Sequence, residues 1–74
     1  MNTLKKKLGS RLYKARMEMG YSQSDVQDSG IISQSHLSKI ENGELLVNIF
    51  TLIKLSRLYG KNIEYFTNDL IQDI

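Results

Sequence analysis

SQSDVQDSGIISQSHLSKIENG, residues Ser22 to Gly43, decides how this chain is organised. It reads as two short helices joined by a tight turn. Ser22 can N-cap the first helix, and Asp25, three positions on, completes a capping-box-like pattern. Asp28, Ser29 and Gly30 end that helix early, because short polar residues and glycine favour turns over helix continuation. Ser33 is a second N-cap. Leu37 and Ile40 then form one apolar stripe at helical spacing, and Gly43, after Asn42, is a natural left-handed stop. Away from that stripe the second helix carries Gln34, Ser35, Ser38 and Lys39. These side chains are small or amide-bearing and uncluttered, which suits a helix that enters a groove.

The stretch resembles the helix-turn-helix of the lambda-repressor/Cro-like (Xre) family of bacterial and phage transcriptional regulators. Three features carry the resemblance: Ser22-Gln23 opening the first helix, Ser33-Gln34 opening the second, and Leu37-Ser38-Lys39-Ile40-Glu41-Asn42-Gly43 closing it. It extends from about Leu8 to Phe66, taking in Gly9, Leu12, Arg16 and Gly20 upstream and Leu52, Leu55 and Gly60 downstream. The chain departs from the family pattern in three places. Alanine is common where Gln27 stands, the turn glycine usually falls one residue after Gly30, and proline is common at Val47. The resemblance implies an all-α, five-helix, lambda-repressor-like DNA-binding domain. It also implies that Arg16 pairs with Glu41, a partly buried guanidinium needing a carboxylate whose fork geometry joins two helices.

Composition sets the outer limits. The 74 residues make one small domain, marginal by itself because a short chain buries a modest share of its surface. No cysteine means no disulfide framework and no thiolate metal site. His36 is the sole histidine, so neither a metal nor a cofactor is expected. No apolar run spans a membrane, and Lys5, Lys6 and Lys7 are followed, after the single Leu8, by Gly9, Ser10 and Arg11 rather than by a signal-peptide core. A cytoplasmic location is expected. Six of the ten basic residues lie between Lys5 and Arg16, whereas Glu64 to Ile74 carries Glu64, Asp69 and Asp73 with no base. One end of the chain is thus suited to a polyanion and the other is not.

The remaining elements follow from periodicity and caps. Leu4, Leu8, Leu12, Ala15 and Met19 recur at three- and four-residue spacing, predicting a first helix over Thr3 to Met19 that Gly20 closes. The second helix, Gln23 to about Ser29, has only Val26 as a clear core residue, so tertiary packing must hold it. One of Ile31 and Ile32 is expected in the core. Leu45 to Ile53 is apolar and partly β-branched, as a strand would be. The preferred reading is loop then helix, with Asn48 as N-cap and Leu52, Leu55 and Tyr59 as the buried stripe. Asn62 caps a fifth helix with Ile63 and Phe66 turned inward. Leu70, Ile71 and Ile74 exceed what a five-helix core requires, so residues 67–74 are a candidate dimerisation tail.

Given the resemblance, the expected partner is double-stranded DNA, bound by a homodimer on a palindromic operator, with repression as the expected outcome. Gln34 is the foremost base-reading candidate, since a glutamine amide donates and accepts together and matches adenine N6 and N7. Ser33, Ser35 and Lys39 are the next base contacts, the lysine suiting guanine. Gln23, Ser22, Asn42, Arg11 and Lys14 are phosphate candidates. Two alternatives remain open. One is a protein-interaction or antitoxin module using Leu45, Leu46 and Phe50 and the tail residues Leu70, Ile71 and Ile74. The other is the DNA-binding part of a longer peptide-sensing regulator. An enzyme is not expected: His36 shares one short helix with Ser35 and Ser38, no segment remains to enclose a small-molecule substrate, and no catalytic set is nominated.

Overall fold

A computed structural model describes residues 3–70. Five helices follow one another: α1 Thr3–Glu18, α2 Gln23–Asp28, α3 Gln34–Glu41, α4 Ile49–Leu58 and α5 Ile63–Thr67. No strand occurs among the described residues; Leu45 to Asn48 is loop, and α4 starts directly after it. No described helix is long and apolar enough to cross a membrane.

Each of the four later helices starts on the polar residue its sequence offers. Ser22 Oγ accepts the Asp25 N–H at 2.9 Å, while the Asp25 carboxylate accepts the Ser22 N–H at 2.8 Å. Asn48 and Asn62 accept from Thr51 N and Tyr65 N at 2.9 and 3.1 Å. Such caps satisfy N–H groups that have no partner within the helix, which matters most for helices of five to ten residues.

α1 packs on α3 and α5, α2 on α3, and α4 on α5. Between them lie Leu8, Leu12, Ala15, Val26, Ile32, Leu37, Ile40, Val47, Leu52, Leu55, Tyr59 and Phe66. Of the two isoleucines in the turn, Ile32 is buried and Ile31 half-buried. Glycine permits the closest crossing. A Cβ at Gly9 would land on the Ile40 carbonyl oxygen, so α1 and α3 meet there backbone to backbone. Gly43 ends α3 at φ +78°, and a Cβ there would reach 2.8 Å from Lys6 Cγ. Conformation and space both reserve that position for glycine.

Three expectations need correcting. The α1 stripe is shorter than its periodicity suggests: Leu4, in the first turn, and Met19, just past the last residue of the helix, are exposed. α2 stops at Asp28 and α1 at Glu18, each about one residue early. Leu70 is not surplus, since it packs half-buried against the core. The other two tail residues, Ile71 and Ile74, lie outside the described residues.

Candidate nucleic-acid interface

Glu41, at the C-terminal end of α3, is the joint of the helix-turn-helix. Arg16 of α1 grips its carboxylate in a fork, Nε to Oε2 at 2.8 Å and Nη2 to Oε1 at 3.0 Å. A further Arg16 nitrogen donates to the Tyr21 carbonyl at 2.7 Å. Both side chains are almost wholly buried, so the pair is desolvated and intolerant of losing one member. The hydrogen bond to Glu41 raises the Arg16 pKa above its ordinary value against the opposing effect of burial. Gln23, the first residue of α2, adds a third arm: its Nε2 donates to Glu41 Oε1 at 2.9 Å. One carboxylate thereby ties α1, α2 and α3 together.

That clamp presents α3 with its first turn outward. Ser33 Oγ accepts the His36 N–H at 3.3 Å and starts the helix. Gln34, Ser35, His36 and Lys39 are exposed, while Leu37 and Ile40 are buried beneath them. A shallow groove between α2 and α3 is lined by Gln23, Gln27, Gln34, Ser35 and Ser38. The Gln34 side chain makes no hydrogen bond among the described residues, so its full amide capacity is available to a base edge.

The phosphate candidates are more scattered. Ser22 and Gln23 stand together at the start of α2, but one Gln23 amide proton is already spent on Glu41. Asn42 is the C-cap of α3, at the far end from Gln34 and about 12 Å along the axis. Lys14 is exposed on α1. Arg11 is engaged elsewhere: it donates to the Phe66 and Asn68 carbonyls at 3.1 and 2.7 Å and pairs with Asp69 at 2.8 Å. Its guanidinium closes the end of α5, where carbonyls lack partners and a cation is favoured.

Gln27 escaped the sequence reading. Its Oε1 accepts the backbone N–H of Gln34 at 2.7 Å, linking α2 to the start of α3. The only advance signal was that its family position commonly holds alanine.

Residues 12–66 match the helix-turn-helix family. The HTH-type transcriptional regulator ImmR of Bacillus subtilis (strain 168) is 36% identical over 58 residues, which is 78% of this chain and 46% of that protein. The chain thus spans about half the length of this curated relative. No solved structure gave a significant match.

Proposed function

The chain belongs to the lambda-repressor/Cro-like helix-turn-helix family, and from that premise we propose that it is a sequence-specific DNA-binding transcriptional regulator rather than an enzyme. The observation that carries the proposal is the exposed first turn of α3. Ser33, Gln34 and Ser35 stand there on a helix whose far end is anchored by the Arg16–Glu41 pair. In this reading α3 enters the major groove, Gln34 makes a bidentate contact to adenine, Lys39 reads one turn further along, and α2 crosses the backbone with Ser22 and Gln23 against phosphate. Asn42 and Lys14 supply further phosphate contacts. Arg11 is left out because its donors already serve α5.

Two copies are required, since one eight-residue helix reads too few base pairs to select a site. Leu45, Leu46, Ile49, Phe50 and Ile53 form an exposed apolar patch running from the α3–α4 loop into α4. A contiguous apolar surface of this kind, Phe50 being 73% exposed, is characteristic of a protein interface. This patch supports a homodimer seam better than the tail does, because Leu70 is already used by the core. It equally supports the second reading, a module that holds another protein. A dimer acting in the cytoplasm and occluding a promoter would be a repressor.

Selection of duplexes by the chain from a randomised pool tests the function. The expected result is an enriched inverted repeat, bound with affinity that falls steeply with salt and at least a hundredfold (on the order of 3 kcal/mol) better than scrambled DNA. No enrichment, with the chain folded, would reject DNA reading in favour of the protein-interaction module.

A further inference from the structure

Gln27 lies one helical turn after Gln23, and its side chain crosses from α2 to the start of α3. A backbone N–H only donates, so the amide oxygen of Gln27 must be the atom that faces Gln34 N at 2.7 Å. The N–H groups of a helix's first turn have no partner within the helix. Ser33 takes the one on His36. Gln27 takes the one on Gln34, from a different helix. The start of α3 is thereby capped twice, once locally and once across the turn.

The second cap has a consequence for recognition. First turns fray, and the residue that fixes the Gln34 backbone also fixes the direction in which its side chain leaves the helix. A bidentate contact to a base tolerates little misplacement. The Gln34 side chain has no bond of its own among the described residues, so its aim depends on its backbone. We propose that Gln27 is a positioning residue for sequence recognition: it holds the start of α3 and so aims the Gln34 amide. The proposal rests on the reading of Gln34 as the base-contacting residue. It adds a residue on α2 whose effect on specificity passes through α3.

The test is a double-mutant cycle in the full chain, read on the duplex that wild type selects and on a scrambled duplex. Gln27→Ala should fold and lower the melting temperature by no more than several degrees, as loss of one exposed cap does. It should lose about tenfold on the selected duplex, part of the value of a bidentate contact, and much less on the scrambled one. In a Gln34→Ala background the same substitution should cost almost nothing, because nothing remains to be aimed. Additive losses would overturn the proposal and make Gln27 an independent DNA contact. Equal losses on both duplexes would overturn it too. Amide hydrogen exchange judges the cap without DNA: Gln34 N–H should lose protection in Gln27→Ala, and retained protection would overturn the proposal. Should wild type select no duplex, the regulator reading fails by itself, and the exchange result still decides whether the cap exists.

Discussion

Gln23 Nε2 stands 2.9 Å from the same Glu41 oxygen that accepts from Arg16 Nη2, so a residue expected to face phosphate is also bound into the buried clamp. Structure and recognition share atoms here. A change at Glu41 frees Gln23 and strands Arg16 at once, whereas a change at Gln23 leaves the ion pair intact.

Glu41→Ala should therefore destabilise the fold strongly. It removes the carboxylate paired with a guanidinium of 7% side-chain exposure. Stranding a buried charge costs roughly 3 kcal/mol, enough to lower the melting temperature by well over 10 °C in a domain of this size. Thermal denaturation followed by circular dichroism is the check. An unchanged melting point with weakened DNA binding would make Glu41 a recognition residue instead. Gln23→Ala should cost far less stability, because Arg16 and Glu41 still satisfy each other.

Arg11 separates a structural cation from a DNA contact. Its donors serve the Phe66 and Asn68 carbonyls and the Asp69 carboxylate. Arg11→Ala should loosen the end of α5 and lower stability by about 1 kcal/mol. The slope of log affinity against log salt should stay as in wild type. A phosphate contact would show as a slope shallower by about 0.9. Lys14→Ala is the natural comparison, because Lys14 is exposed on the same helix.

These residues show what a sequence can disclose. Caps and stops depend on a few neighbouring residues, so Ser22, Ser33, Asn48, Asn62 and Gly43 were readable in place. The inward stripe of Leu8, Leu12 and Ala15 followed from periodicity, but Leu4 and Met19 share that periodicity and are exposed. Periodicity gives a face and not how far the neighbouring helices extend along it. Arg11 meets a partner 58 positions away, and Gln27 meets a backbone N–H across a turn whose path local residues do not dictate. Neither contact leaves a local trace. The Arg16–Glu41 pair became legible only through the resemblance, which brought two distant positions together.

Tyr59 carries a cost that the core does not recover. The residue is 1% exposed, and its hydroxyl, buried with it, makes no hydrogen bond among the described residues. Burial pushes its pKa well above the usual tyrosine value, so the group stays neutral throughout the working range. A buried polar atom without a partner costs about 1–3 kcal/mol. Tyr59→Phe should remove that cost while keeping the ring's packing, including its tilted contact with Tyr21 at 6.4 Å between centroids. The melting temperature should rise by about 5 °C. A fall would mean that the hydroxyl contributes to stability through a partner it acquires in solution.

Phe50 is the most informative position for assembly. It is 73% exposed at the start of α4, next to Ile49 and near Leu46 and Ile53. An aromatic that open gains nothing from the monomer core, so replacing it should barely move the melting temperature of dilute protein. If the patch is the seam between two copies, its central aromatic carries a large share of the association energy, on the order of 2 kcal/mol. Phe50→Ser should then raise the dimer dissociation constant about thirtyfold, as read by sedimentation equilibrium. Affinity for an inverted repeat should fall while binding to an isolated half-site is unchanged, because each recognition helix stays intact. Equal losses on the half-site and the full repeat would place Phe50 against DNA. Unaltered dimerisation would move the seam away from the α3–α4 loop and leave the patch to another protein partner.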